Sequence, residues 1–213
     1  MIETGLSITA LVFLLSTSPF PTPSPTHLAQ QQFSLLNRNK NIFINGIFSD
    51  NILLTLAYMR GFIKTGQKIP WDQIREPFSY GFVLKPNESF AFHDVVLDTY
   101  KHNVVQTTQA HFIANEGFKS DGWLVGDGVC HLASFLKVVA QNAGLATYAP
   151  SHHNFAEIAD VPKSDGVSIY FSPTSEKTSS THNLYITNTL PKPVAFLFEY
   201  KNSILSISVT KLP

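Results

Sequence analysis

The chain has 213 residues, which is enough to bury one sizeable core, and we expect one main domain. Fifteen Lys and Arg residues balance fifteen Asp and Glu residues, so there is no basic excess to neutralise the phosphates of a nucleic acid. A hydrophobic content of 44% excludes disorder along the whole chain. Cys130 is the single cysteine, which excludes an internal disulfide and any multi-cysteine metal site, and we expect no cofactor.

The N-terminal residues have the pattern of a targeting segment. Leu6 to Leu15 is an apolar run with the length of a signal-peptide core, shorter than the roughly 20 residues that span a bilayer. Residues 16–27 carry four prolines among Ser and Thr and are predicted to be an exposed tether. We assign residues 1–31 to this signal-like run and tether, with folded structure from about Gln32. A buried N-terminal helix is the alternative, and membrane contact is expected only if the segment stays uncleaved.

Residues 32–82 are predicted to be a helical N-terminal part. Asp50 can cap a helix from Asn51 to Arg60, which has a broad apolar face and which Gly61 would end. Residues 64–80 mix aromatic and polar side chains and are interpreted as an insertion.

Residues 83–213 are predicted to form the main core. Short strands are expected over Phe82 to Phe92 and over Ala110 to Ala114. Val129 to Ala143 then places apolar side chains at helical spacing, and Gly144 ends that helix. One face of this helix should therefore pack on the core.

Beyond this helix the hydrophobic period changes from 3.6 to two. Three segments alternate apolar and polar residues: Leu184 and Ile186; Phe196, Phe198 and Tyr200; Leu205, Ile207 and Val209. They predict three meandering strands. The predicted fold class is α+β, with N-terminal helices plus a cysteine-bearing helix packed on an antiparallel C-terminal β-meander.

Cys130 is the first candidate for chemistry. It lies in the first turn of the predicted helix, directly after Gly126, Asp127 and Gly128. Unpaired amides and the helix dipole at such a position stabilise a thiolate, and first-turn amides such as that of Val129 can hold an oxyanion. The alternative is that Cys130 is a small buried hydrophobic residue.

A nucleophilic cysteine needs a base, and His152 and His153 are the nearest downstream histidines. The helix is about 21 Å long, and residues 144–153 can span ~30 Å, so one returning strand brings these histidines back to Cys130. The same histidines could be a surface dipeptide. A metal site formed by Cys130, His131, His93 and His152 lacks diagnostic ligand spacing, and none is predicted.

Two motifs resemble the VanW-like family. Residues 86–93, PNESFAFH, resemble its P-G-E-x-F-S-F-N segment, and residues 126–131, GDGVCH, followed by Ala-Gly-Leu at 143–145, resemble its G-G-G-V-C-Q…A-G-L signature. The resemblance places His153 on the His of the family's H-S pair and Asp165 on the Asp of its D-A-T-V. It spans about residues 51–209, interrupted by the insertion.

This resemblance implies a bacterial envelope protein associated with glycopeptide (vancomycin) resistance. The expected location is extracytoplasmic, secreted or membrane-tethered, and the expected partner is a cell-wall peptide or an envelope protein. The order of cysteine, histidine and polar residue is also similar to transglutaminase-like and papain-like cysteine enzymes. His131, His93 and Asn183 replace the family's Gln, Asn and Asp, which favours a diverged, inactive copy.

Two residues compete to orient His153. If residues 153–159 form a strand and 160–164 a turn, Asp165 lies ~20 Å from His153 and instead stabilises the turn before Gly166. Asn183 begins the following strand and could lie beside His153, as in a papain-type Cys-His-Asn set. We rank Asn183 above Asp165.

Two functions follow from these residues. In the first, the protein is a cysteine acyl hydrolase or transferase acting on peptidoglycan or envelope peptides: Cys130 attacks, His153 moves the proton, and Asn183 or Asp165 orients the imidazole. In the second, the protein is a non-catalytic envelope module that binds its partner in the same groove. In either case six residues are expected to line the site: Gly126, Asp127, Gly128, Val129, His131 and His152.

Overall fold

The computed structural model describes residues 24–213, so the signal-like run lies outside the described residues. The strands are β1 Thr26–Ser34, β2 Phe78–Leu84, β3 Ser89–Ala91, β4 Val104–Gln106, β5 Ala146–Tyr148, β6 Tyr185–Thr187, β7 Val194–Lys201 and β8 Ile204–Lys211. The α-helices are α1 Ile42–Met59, α2 Trp71–Ile74, α3 Val129–Asn142 and α4 Glu176–Thr181. The predicted α+β class is confirmed.

Two four-stranded sheets form the β part of the domain. The larger has the order β1-β8-β7-β2 and is antiparallel throughout, and the smaller has the order β4-β3-β6-β5. The predicted hairpin of β7 and β8 is confirmed, but the three-stranded meander is wrong. β6 pairs with β3 and β5 instead, so both of its edges are occupied within the smaller sheet. Alternation indicates which face of a strand is buried and does not identify its partner.

The fold begins earlier than the sequence predicts. β1 starts at Thr26, directly after the last proline of the predicted tether, and pairs with β8 along its length. Phe33 in β1 is fully buried, with its ring stacked 3.9 Å from that of Phe135 in α3. The predicted start near Gln32 is therefore wrong, because the glutamines of β1 pair through main-chain groups that side-chain polarity does not reveal.

Helix α1 also begins earlier than predicted. Asn41 caps it by accepting from the amides of Phe43 and Ile44, at 2.9 and 3.3 Å. Asp50, the predicted cap, lies in the middle of the helix. The predicted end is close, because α1 stops at Met59 and Gly61 follows with a φ of +68°.

Among residues 24–213, α1 is the one helix long and apolar enough to cross a membrane, with a mean hydropathy of 1.4. Two-thirds of it, 67%, is buried inside the domain, where it packs against α3. This is the environment of a core helix.

Two strand predictions need correction. Phe82 to Phe92 is two strands, β2 and β3, joined by a turn, and β2 starts inside the predicted insertion. Ala110 to Ala114 is not a strand. Gln109 and Phe112 have φ values of +61° and +63°, which interrupt an extended chain.

Helix α3 is confirmed almost to the residue. Val129 starts it, Asn142 ends it, and Gly144 follows with a φ of +78°. It packs between α1 and the larger sheet, against β1 and β8. Residues 131–140 of the helix are buried in the core, Val129 at its start is buried as well, and Cys130 is partly buried.

Candidate functional site

A cleft of about 440 Å³ opens at the N-terminal end of α3. Its walls are the first turn of α3, the preceding loop 123–128, and segments 111–114, 153–157 and 169–173. Arg38, from the turn between β1 and α1, also lines it. Five of the predicted binding residues line this cleft: Gly126, Asp127, Gly128, Val129 and His131.

One wall of the cleft contacts His153, Cys130 and His111 in turn. In the segment 166–171, the carbonyl of Gly166 accepts from the amide of His153 at 3.1 Å. Ile169 contacts Cys130, and the Phe171 ring lies 4.2 Å from that of His111. This wall therefore runs from His153 past Cys130 to His111.

The loop before α3 is held at its base by Asn51, a fully buried residue of α1. The Asn51 amide group donates to the carbonyls of Lys119 and Asp127, both at 2.9 Å, and its oxygen accepts from the Lys119 amide at 2.8 Å. At the loop's tip Trp123 is 91% exposed and Leu124 59% exposed. The anchored base holds these apolar side chains at the rim of the cleft.

Gly128 allows α3 to start against α1. Its φ is +94°, and a Cβ at this position would lie 2.5 Å from the Phe48 carbonyl oxygen. Only glycine combines this backbone conformation with this close approach. The glycine-rich approach to α3 thus has a packing role, whatever it does for a ligand.

Cys130 makes main-chain hydrogen bonds. Its Sγ donates to the Ile169 carbonyl at 3.7 Å and accepts from the Ile169 amide at 3.4 Å. Burial raises the pKa of the Cys130 thiol to about 11. The expectation of a lowered thiol pKa is therefore wrong, because desolvation outweighs the stabilisation offered by the start of the helix. No imidazole among residues 24–213 hydrogen-bonds to this sulfur.

His131 and His153 form a buried pair in the cleft. The two residues are only 4% and 5% exposed, and their rings lie 6.3 Å apart and perpendicular to each other. Neither Nδ1 atom has a hydrogen-bond partner among residues 24–213. Burial, helped by the charge of Arg38, lowers the pKa of His131 to about 3, and burial also lowers the pKa of His153. Both rings are neutral at physiological pH.

Arg38 was not singled out by the sequence. Its side chain has no exposed surface, its Nη1 donates to the Ala159 carbonyl at 2.9 Å, and its Nη2 pairs with Asp160 at 2.6 Å. Its Nε has no partner among residues 24–213. Nothing in the polar run 37–41 distinguishes this arginine from a surface residue, so no sequence signal marks it.

His111 lies in an opposite environment. Its Nε2 is 2.9 Å from an Asp94 oxygen and its Nδ1 is 3.1 Å from an oxygen of the buried Glu116. Hydrogen bonds to these two carboxylates raise the pKa of His111 to about 10. Glu116 also accepts from the amides of His111 and Phe112, at 2.7 and 3.0 Å. The sequence missed this set because its members are separated by up to 22 residues and match no motif.

Asn183 does not contact His153. Its side-chain amide donates to the carbonyls of His93 and Val95 at 3.0 and 3.2 Å, and its oxygen accepts from the His93 amide at 3.2 Å. Burial lowers the pKa of His93 to about 4. Asn183 therefore positions the segment after β3, rather than the cleft histidine.

Asp165 is nearer to His153 than predicted, since His153 pairs with the adjacent Gly166. Its carboxylate, however, pairs with Lys137 at 3.3 Å. The predicted separation of ~20 Å is wrong because residues 153–165 do not form a strand and turn. His152 is exposed, pairs with Val167 and does not line the cleft.

Metal coordination finds no support in this part of the chain. Among residues 24–213, no group of three or more His, Cys, Asp or Glu side chains is arranged to hold a metal ion.

Comparison with known proteins gives one assignment. Residues 79–210, more than half of the chain, match the family described as VanW like protein. No curated protein and no solved structure matches. The matched region contains α3, Cys130 and the three histidines that line the cleft, whereas Arg38 and Asn51 lie before it. The chain belongs to the VanW-like family, which is associated with the bacterial envelope and with vancomycin resistance.

Proposed function

We propose that this protein is a non-catalytic module that binds a cell-wall peptide in the cleft. The observation that carries the proposal is the contrast inside the cleft between a satisfied thiol and unsatisfied imidazoles. Cys130 is hydrogen-bonded to Ile169, whereas the imidazoles of His131 and His153 line the cleft and their buried Nδ1 atoms make no hydrogen bond among the described residues. Buried imidazoles are normally fully paired, so these two rings in the cleft wall fit contact with a ligand better than a role in packing alone.

The rim of the cleft suits a peptide. Trp123, Leu124 and Phe155 are 91%, 59% and 74% exposed, and all three line it. Large exposed apolar side chains around a concave site are typical of binding surfaces. The volume of about 440 Å³ lies in the range of sites that hold a small ligand or a few residues of a peptide.

The proposal assigns the protein to the outside of the cytoplasm. Its support is the apolar run from Leu6 to Leu15 together with the family's association with the envelope. Protease treatment of spheroplasts is the test. The protein should be degraded without lysis, and protection until lysis would contradict the assignment.

A cysteine acyl hydrolase or transferase is the second candidate, favoured by the presence of Cys130 and His153 in one cleft. With a thiol pKa of about 11, roughly one molecule in 10⁴ carries the thiolate at pH 7. Catalysis would require the Cys130 bonds to Ile169 to break and His153 to reach the sulfur. The binding module requires neither change.

Calorimetric titration with a synthetic peptidoglycan stem peptide tests the binding function. We expect Trp123→Ala to weaken binding about tenfold, since aromatic anchors dominate such interfaces. Leu36→Ala is the matched control, because Leu36 is 71% exposed and does not line the cleft. Absence of binding by the wild-type chain, or equal effects of both variants, would contradict the proposal.

Mass spectrometry of the same mixture separates the two candidates. We expect the peptide to remain intact and Cys130→Ala to bind it as tightly as the wild type. Release of a peptide fragment by the wild type but not by Cys130→Ala would instead establish the hydrolase.

A further inference from the structure

We propose that the cleft selects a peptide carrying a protonated amine, which binds among the exposed aromatic rings of the rim and beside Asp127 and Glu157. The inference rests on the proposed function and names the chemical group that the site selects. Its support is the charge and the aromatic character of the side chains that line the cleft.

Exposed aromatic rings lie on three walls of the cleft. Trp123, Phe155 and Tyr170 are 91%, 74% and 49% exposed, and they belong to the loop 123–128 and to segments 153–157 and 169–173. The face of an aromatic ring is electron-rich, so it attracts an ammonium group and repels an anion. Several such rings around one concave site are typical of sites that bind amines.

Two carboxylates in the lining have no cation to neutralise them. Asp127 and Glu157 both line the cleft, and neither forms an ion pair within residues 24–213. Asp127 accepts a hydrogen bond from the Asp121 amide at 2.8 Å, in the loop whose tip carries Trp123. Burial, together with the charge of Asp121, raises the pKa of Asp127. A cation beside this carboxylate stabilises its charged form, whereas an anion opposes it.

The cations in the lining are already neutralised by the protein. The Arg38 side chain has no exposed surface and pairs with Asp160 at 2.6 Å, so this pair is neutral. His111, whose pKa is raised to about 10, lies between Asp94 and Glu116. One imidazolium between two carboxylates leaves one negative charge, which adds to those of the two unpaired carboxylates. The cleft is therefore acidic, although the whole chain has a net charge of zero.

The test compares two peptides by calorimetry at pH 7. Both are synthetic stem peptides with a single lysine and a blocked N-terminus, and the lysine amine is free in one and acetylated in the other. We expect the wild-type chain to bind the free amine at least tenfold more tightly. Equal affinities, or tighter binding of the acetylated peptide, would overturn the amine inference while leaving peptide binding intact. Failure to bind either peptide would overturn both proposals.

Substitutions of the two carboxylates then locate the preference. Asp127→Asn removes the charge and keeps an oxygen that can accept from the Asp121 amide, so it should lose most of the preference for the free amine. Glu157→Gln changes an exposed residue that the fold does not depend on, and it should reduce the preference about threefold. Glu199→Gln is its control, because Glu199 is also exposed but does not line the cleft. A preference that survives both Asp127→Asn and Glu157→Gln would overturn the assignment.

A substitution at Phe155 tests the aromatic contribution separately. Phe155→Leu keeps an apolar side chain and removes the ring, so it should weaken binding of the free amine about two- to fivefold more than binding of the acetylated peptide. Phe43→Leu is the control, because Phe43 is 76% exposed and does not line the cleft. Equal effects of Phe155→Leu on the two peptides would overturn the role given to the aromatic rings.

Discussion

Histidines with opposite properties line the same cleft. His111 has both ring nitrogens bonded to carboxylates and a pKa raised to about 10, whereas His131 has a free Nδ1 and a pKa lowered to about 3. The two histidines differ in burial as well as in neighbours, because the His111 side chain is 31% exposed and His131 is 4% exposed. Hydrogen bonds to Asp94 and Glu116 outweigh desolvation at His111, whereas desolvation is the main cause of the lowered pKa of His131, with Arg38 and His153 adding to it.

This contrast separates a histidine that stabilises the fold, His111, from two that remain available to a ligand, His131 and His153. The His111 ring has no further capacity for a ligand through its nitrogens, and its charge is neutralised by the protein. His131 and His153 are neutral and retain hydrogen-bonding capacity inside the cleft. Sequence analysis treats all histidines as one class of candidate, but in this cleft they have two roles, and only the neutral, unpaired histidines suit ligand recognition.

Removing Glu116 should have the largest effect. Glu116→Ala leaves the amides of His111 and Phe112 without their acceptor and the His111 imidazolium with Asp94 alone. We expect a loss of about 3–5 kcal/mol in the free energy of unfolding, measured with urea. Glu157→Ala is the control, since Glu157 lines the cleft but is exposed, and it should cost less than about 0.5 kcal/mol. Similar losses would show that the His111 cluster is not a structural unit.

A substitution that moves the start of α3 should disturb the environment of His131. Gly128→Ala combines a positive φ with a clash against the Phe48 backbone and should cost about 2–4 kcal/mol. Gly144→Ala is matched, because its φ of +78° is similar but nothing lies within 4 Å of an added Cβ, and it should cost about 1–2 kcal/mol.

The difference in unfolding free energy between Gly128→Ala and Gly144→Ala measures the close contact of Gly128 with Phe48, which helps to enclose His131. Phe48 lies edge-on to the His131 ring, 5.1 Å away, so displacement of α3 should also expose that ring to water. NMR titration of His131 in Gly128→Ala should then give a pKa closer to 6.5. An unchanged pKa would mean that the α1 contact does not bury this histidine.

Alkaline pH should weaken the fold through His111. Its pKa is raised above the unfolded value of about 6.5, so its stabilisation is complete below pH 6.5 and is lost as the pH rises through about 10. We expect the wild type to lose about 2 kcal/mol over that range after allowance for solvent screening. His111→Gln should flatten this part of the stability curve. A curve unaffected by the substitution would contradict the charged state of His111.

His131 should act in the opposite pH range. Its lowered pKa means that its contribution is present above pH 6.5 and is lost as the pH falls towards about 3. Between pH 5 and 6, His131→Gln should remove about 1 kcal/mol of the wild type's pH-dependent loss. His93 and His153, whose pKa values are also lowered, should maintain the remainder of the acid slope.

The sequence revealed elements whose pattern is local. α3 was predicted because apolar spacing and Gly144 both mark it, and β7 and β8 were predicted because large apolar residues recur at every second position, from Phe196 to Tyr200 and from Leu205 to Val209. β1 was missed since its polar residues pair at a sequence separation of about 180, which no local pattern encodes. The start of α1 was missed because Asp50, a good cap by type, is instead used in ion pairs with Arg75 and Lys119.

The same distinction applies to the residues of the cleft. Cys130, His131 and His153 could be selected because they lie in or near a recognisable motif and at the end of a predicted helix. Arg38 and the His111 cluster come from turns brought together by the fold, and their importance depends on burial and partners. The sign of the Cys130 pKa shift was wrong for a related reason: the helix start is visible in the sequence, but the desolvation of the thiol is not.

The smallest effect concerns Cys130. Its thiol pKa of about 11 and its bonds to Ile169 should make alkylation by iodoacetamide at pH 8 less than a tenth as fast as that of free cysteine, since the thiolate is the reacting species. His153→Ala should change this rate by less than twofold, because the imidazole neither bonds to the sulfur nor carries a charge at this pH. The measurement is the pH dependence of alkylation, followed by mass spectrometry in the folded and urea-unfolded protein. A native thiol that reacts with an apparent pKa below 8.5, and whose pKa rises in His153→Ala, would show a coupled Cys–His pair and would restore the hydrolase as the better account of the cleft.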